Sequence, residues 1–146
     1  RMELTVIKSA EPQIHETAVV DPTAKLHKNV IIEHAVIGPN CEIGKGSIIG
    51  SHAVISKNVR IGEKTIIGNP NAVNRRRSAG FEIVGEYSTV VIGNDNSFRE
   101  FVTIHRATGE NCETRIGSHN MLQAYTMWHT TAISETTSSC PAFPEQ

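Results

Sequence analysis

One feature constrains this chain more than any other: an aliphatic residue that recurs every six positions. Ile37, Ile43, Ile49, Ile55, Ile61, Ile67 and Val73 share one phase. Ile, Leu and Val make up 32 of 146 residues, so seven consecutive hits at a set phase would arise by chance about once in 40,000. Ordinary strands predict a period of two, not six. The phase extends backward through Ile14, Val20, Leu26 and Ile32, but only five residues separate Ile32 from Ile37. One flat is therefore a residue short. Forward, it resumes at Ile92, Phe98 and Ile104, and again at Ile116 and Leu122.

Six residues are too few for a helical repeat and suit one short strand plus a turn. The leading aliphatic then points inward. Gly follows it at positions 38, 44, 50, 62, 68, 93 and 117, where the chain is expected to bend without a Cβ clash. Three units close a triangular coil of about 18 residues, and coils stack at about 4.8 Å with each strand pairing to its equivalents above and below. The expected fold is all-β, a parallel β-helix over residues 14–73 that resumes from about Val90 to Leu122. Ile43, Ile49, Ile55 and Ile61 are its expected core.

The rest of the composition excludes more than it assigns. Lys and Arg total 14, Asp and Glu 15, for a net charge of −1. That leaves no electrostatic case for a nucleic-acid or membrane-surface partner. No apolar run approaches the roughly 20 residues of a membrane span, and no secretory apolar region follows the start. The expected location is cytoplasmic. Cys41, Cys112 and Cys140 form an odd, scattered set, with no CxxC metal spacing and no disulfide framework.

The [Ile/Val]-Gly-x4 pattern resembles the hexapeptide-repeat acyltransferases, and two segments sharpen the match. Ile14-His15-Glu16-Thr17-Ala18-Val19-Val20 resembles the opening I-H-P-T-A-V-V of one subfamily, with Glu16 in place of Pro. The run Ile92-Gly93-Asn94-Asp95-Asn96-Ser97-Phe98-Arg99-Glu100-Phe101-Val102-Thr103-Ile104-His105-Arg106 resembles that subfamily's I-G-x-x-N-x-x-R-E-x-V-T-I-H-R. The subfamily is the acyl-carrier-protein–UDP-N-acetylglucosamine O-acyltransferases, which begin lipid A synthesis. The resemblance covers about residues 14–73 and 84–122. It implies a left-handed coil, an exception to the right-handed crossover rule. It also implies a homotrimer, with acyl-carrier protein and UDP-N-acetylglucosamine as partners, and neither cofactor nor metal.

Two stretches depart from the family. Residues 74–83 read Asn-Arg-Arg-Arg-Ser-Ala-Gly-Phe-Glu-Ile, where the family has I-G-x-x-P-Q-D-L-K-[FY]. Permitted codons for the printed residues, read one base later, spell I-G-A-A-P-Q-D-L-K. A match to seven family-specific residues by luck is on the order of one in 10⁴. From Thr126 the printed chain replaces H-[VI]-A-H-D-C-x-[IV]-G-N, and a shifted frame permits H-V-A-H-D-C-H-I-G-N-N. The chain thus reads as frameshifted twice and truncated at its C-terminus. The expected organisation is a lead-in at 1–13 and a β-helix at 14–125. An irregular excursion interrupts it at 74–89, and a non-native tail occupies 126–146.

In the resembling family a histidine is the general base. It takes the proton from the sugar 3-hydroxyl, which attacks the thioester of a hydroxyacyl-acyl carrier protein. Its pKa near neutrality keeps the free base available. Here that codon would straddle His129 and Thr130, so no intact catalytic residue is expected and His129 is only the nearest candidate. His105 stands where the family places a substrate-contacting histidine; a surface histidine at a coil corner is the alternative. His15, His27, His34, His52 and His119 sit at varied repeat phases and read as solvated turn residues. Arg75, Arg76 and Arg77 could form an anion patch, but the frame explanation covers them.

Other functions remain open on the residues alone. One is a non-catalytic scaffold or pseudogene product with this fold. A hexapeptide-repeat carbonic anhydrase is disfavoured, because no His-x4-His pair occurs. The sister N-acyltransferase is disfavoured by the Arg99-Glu100 to Arg106 run.

Overall fold

The computed structural model describes residues 10–68, 82–84, 89–99, 103–105, 112–122, 127–128 and 136–139. Eighteen short strands among them, numbered along the chain, form three six-stranded sheets. Face A stacks β1 (Gln13–Ile14), β4 (Ile31–Ile32), β7 (Ile48–Ile49), β10 (Ile66–Ile67), β13 (Ser97–Phe98) and β16 (Met121–Leu122). Face B stacks β2 (Val19–Val20), β5 (Val36–Ile37), β8 (Val54–Ile55), β11 (Glu82–Val84), β14 (Thr103–His105) and β17 (Met127–Trp128). Face C stacks β3 (Lys25–Leu26), β6 (Glu42–Ile43), β9 (Val59–Ile61), β12 (Thr89–Ile92), β15 (Glu113–Ile116) and β18 (Thr136–Ser139). Successive strands visit A, B and C in turn. Each pairs in parallel with its equivalents one coil away, β18 excepted. This is the parallel β-helix that the six-residue period predicts.

The repeat fills the prism with three aliphatic columns. On face A, Ile32, Ile49, Ile67 and Phe98 are at most 1% exposed. Ile37, Ile55, Ile83 and Ile104 line face B, and Ile43, Ile61, Ile92 and Ile116 line face C, all buried. The short flat is real: only Glu33 to Val36 join Ile32 to Ile37, yet Val36 still pairs with both Val19 and Val54. The missing residue comes out of a corner, so the strands keep register.

Seven of the described repeats also bury a second residue that the leading aliphatics do not reveal. Four positions on lie Val30, Cys41, Ser47, Ala53, Val59, Thr65 and Asn96, all buried. Most are small, because they sit under the corner where the chain turns.

The glycines act differently from the expectation. Gly46 and Gly68 have positive φ, but the left-handed corner residues are otherwise Asn29, Asn40, His52, Asn58, Lys64, Asp95 and His119. Asn, Asp and His tolerate that region better than most residues. Gly44, Gly62 and Gly93 stack one above another after face C. A Cβ on Gly44 would lie 2.5 Å from the Gly62 carbonyl carbon. Glycine is required there by the approach of the next coil, not by the bend.

Other expectations also change. Within the excursion expected at 74–89, Glu82–Val84 forms a rung pairing with β8 and β14 and Ile83 is 2% exposed, while residues 74–81 and 85–88 lie outside the described residues. Ile83 lies 16 residues after Ile67 and nine before Ile92, so the six-residue period could not place it. Arg75, Arg76 and Arg77 lie outside the described residues. The coil was expected to end at 125, yet Met127–Trp128 adds a parallel strand above Thr103–Ile104. Thr136–Ser139, inside the expected non-native tail, then pairs antiparallel with β15 on face C. Cys112 is disulfide-bonded, whereas the cysteine spacing suggested no framework; spacing alone does not say which thiols a fold brings together.

Candidate functional site

Of the family-like run, Ile92 ends a face C strand, Ser97–Phe98 lies on face A and Thr103–His105 on face B. Several of its residues serve the stack. Asn94 Oδ1 accepts the Glu63 backbone N–H at 2.8 Å, and the Asn94 N–H donates to Ser118 Oγ at 2.9 Å. Phe98 is fully buried and is among the largest side chains of the core. Arg99 is exposed. His105 ends β14, with its backbone in register with Val84. His129 lies outside the described residues.

A polar ladder runs up the corner from face C to face A. Ser47 Oγ donates to the Gly62 carbonyl at 2.7 Å and accepts the Thr65 N–H at 3.0 Å. Thr65 Oγ1 donates to the Gly93 carbonyl at 3.1 Å and accepts the Asn96 N–H at 3.3 Å. Asn96 Nδ2 donates to the Gly117 carbonyl at 2.9 Å, and its Oδ1 accepts the Asn120 N–H at 2.8 Å. Each member thus serves the glycine carbonyl and the equivalent N–H of the coil above. Asn120 Nδ2 repeats the geometry, but it is buried and meets no hydrogen-bond partner among the described residues. A buried donor without an acceptor is uncommon.

The outward residues distinguish the three faces. Face B carries Val19, Val36 and Val54, between 41% and 62% exposed and directly stacked. Face A carries half-buried Ile31, Ile48 and Ile66. Face C carries Lys25, Glu42 and Arg60 in one register. Glu42 Oε1 lies 2.8 Å from His27 Nε2. That hydrogen bond, with smaller help from the Arg60 and Lys25 charges, holds the Glu42 carboxyl below its ordinary range. Asp21 is lowered as well, by the Thr23 hydroxyl and backbone N–H.

The five histidines expected at turns are exposed. They are not all scattered, however. His34 and His52 occupy one corner on adjacent coils, equivalent to Thr17 below. Counting forward from the leading aliphatic hides this, because the short flat shifts the phase. Counting backward from face B reveals it, as Thr17-Ala18-Val19, His34-Ala35-Val36 and His52-Ala53-Val54.

Comparison with known proteins agrees with this architecture. A family profile described as bacterial transferase hexapeptide (six repeats) matches residues 23–57. The acyl-[acyl-carrier-protein]–UDP-N-acetylglucosamine O-acyltransferase of Saccharophagus degradans is 41% identical over 114 residues, covering 77% of this chain and 44% of that protein. Two solved structures are similar. LpxA from Acinetobacter baumannii has a TM-score of 0.63 and 36% identity, covering 78% of this chain and 45% of that one. The UDP-N-acetylglucosamine O-acyltransferase of Moraxella catarrhalis has a TM-score of 0.58 and 32% identity, over 78% of this chain and 45% of that one. This chain therefore spans under half the length of these relatives. Its six-residue period, its three sheets of parallel strands with β18 alone antiparallel among the described strands, and its glycine column are those of a left-handed parallel β-helix, and the chain belongs to the hexapeptide-repeat acyltransferases, alongside the UDP-N-acetylglucosamine O-acyltransferases.

Proposed function

We propose that this chain derives from an O-acyltransferase that moves a 3-hydroxyacyl group from acyl-carrier protein to the 3-hydroxyl of UDP-N-acetylglucosamine, the first step of lipid A synthesis. The observation that carries the reading is 41% identity over 114 residues to a relative of that name, in a stretch that holds the Thr103-Ile104-His105-Arg106 run. His105 is the proposed substrate-contacting residue. The proposed location is cytoplasmic. No described helix is long and apolar enough to cross a membrane. The proposed assembly is a homotrimer. Its support is the asymmetry of the prism, with aliphatic ladders outward on faces A and B and charges on face C.

The same proposal makes the chain itself inactive. The tail from residue 126 is non-native in this reading, and the base histidine of the family has no intact counterpart. The orphaned Asn120 Nδ2 and the antiparallel β18 support it, since an in-frame continuation with Ile-Gly at the next corner would bring a carbonyl over Asn120. The purified chain should show no detectable acyl transfer from acyl-carrier protein to UDP-N-acetylglucosamine. Loss of a general base alone costs about 10²–10⁴ in rate, and loss of substrate positioning adds to it. Restoring both frames, with downstream sequence, should restore turnover. Turnover by the unrepaired chain that His129→Ala abolishes would show instead that His129 is the working base.

A further inference from the structure

The corner between faces A and B holds a group of side chains that the acyltransferase reading does not use. His34 Nδ1 lies 2.7 Å from Thr17 Oγ1, and His15 Nδ1 lies 2.7 Å from the same oxygen. The Thr17 backbone N–H also donates to His15 Nδ1, at 3.2 Å. This third contact fixes the protons. A ring nitrogen that accepts an N–H carries no hydrogen, so the Thr17 hydroxyl gives its single proton to His15. Its oxygen then accepts from the Nδ1–H of His34. His34 is thereby held in the tautomer whose Nε2 lone pair is free. Metal-binding imidazoles are oriented in this way, with one nitrogen fixed by an outer hydrogen bond and the other turned to the ion.

His52 stands one coil further on. Its ring centre is 5.3 Å from that of His34, with the planes at 77°. A metal–nitrogen bond of about 2.0–2.1 Å, plus about 1.1 Å from ring nitrogen to ring centre, puts each centre about 3.2 Å from a shared ion. Two centres 5.3 Å apart then subtend about 110° at the ion, the tetrahedral value. His34 is held by Thr17, and the terminal torsion of histidine is broad, so the His52 ring can turn to aim its nitrogen at the point that His34 Nε2 faces. The spacing itself is held by the backbone, since the His52 N–H donates to the His34 carbonyl at 2.6 Å. Both side chains are exposed. They open onto a groove walled by Val19, Val36 and Val54.

We propose that His34 and His52 form a two-imidazole clip for a divalent transition-metal ion, with Thr17 as the residue that positions His34. No group of three or more His, Cys, Asp or Glu converges among the described residues, so water completes the coordination. Two nitrogen donors select Zn²⁺, Ni²⁺ or Cu²⁺ over the oxygen-seeking Mg²⁺ and Ca²⁺.

Calorimetric titration of the tag-free full chain with Ni²⁺ alone tests this. One ion should bind per chain. His34→Gln and His52→Asn should each abolish that event; Asn suits the left-handed φ of 66° at position 52. Thr17→Val, which leaves both imidazoles in place and removes the hydrogen bond to His34, should weaken binding about tenfold or more. His27→Gln, on face C, should change nothing. Circular dichroism of each variant checks the fold. Absence of Ni²⁺ binding, or binding that survives the paired His34→Gln and His52→Asn changes, overturns the clip. Unchanged affinity in folded Thr17→Val overturns the positioning role.

Discussion

Single residues in this fold are fixed by what the next coil brings against them. Gly62 is the clearest case, because a Cβ there would lie 2.5 Å from the Gly93 carbonyl oxygen. That atom belongs to a backbone paired on both sides and cannot step aside. Gly62→Ala should therefore destabilise the chain by about 1–3 kcal/mol, the usual cost of overpacking. Elsewhere an added Ala side chain more often stabilises by trimming unfolded-state entropy. Urea denaturation compares Gly62→Ala with wild type. An unchanged midpoint would mean that the coils separate readily at that corner.

At the scale of the element, the corner ladder is a chain of hydrogen bonds that alternates donors and acceptors. Thr65 sits in its middle, fully buried, and serves both the Gly93 carbonyl and the Asn96 N–H. Thr65→Val keeps the shape and strands two buried backbone groups, so it should cost about 1–3 kcal/mol. Asn120 ends the described ladder with an unmet donor. Asn120→Leu removes that donor, while the Asn120 N–H keeps its bond to Asn96 Oδ1; the change should be neutral or stabilising. Thermal denaturation of the two variants gives the comparison. A large loss from Asn120→Leu would mean that its amide is satisfied, and would remove one support for the displaced-frame reading. The strands themselves are two to four residues long. Their stability comes from stacking, since an isolated pair so short is marginal.

The whole molecule behaves as a stack in which each coil touches only its neighbours. Burial records this directly. On face A, Ile14 is 49% exposed in the first coil, whereas Ile49 in the third is fully buried. Ile49→Ala should cost about 2–5 kcal/mol, as large-to-small core changes do, while Ile14→Ala should cost under about 1 kcal/mol, since half its side chain already meets water. Ile49→Asp should prevent folding, because no partner for a charge reaches the axis. Equal losses at positions 14 and 49 would contradict the one-dimensional stack.

Much of this was legible in sequence because a solenoid converts periodicity into contact. Ile43, Ile49, Ile55 and Ile61 share a phase of six, and a fixed number of residues per turn puts them on the axis without any further information. The short flat before Ile37 was legible for the same reason. The second buried column, Ser47, Thr65 and Asn96, was not. Those residues are polar, and only the glycine carbonyls of the coil above satisfy them. The histidine corner also required the tertiary structure. His34 and His52 lie at different distances from their leading aliphatics, and they meet because one corner is a residue short while the strands that follow stay in register. Sequence by itself determined the repeating unit and its inward face. Which polar groups face each other across coils was decided by the stacking register, a relation between residues about 18 or more apart that no local pattern encodes.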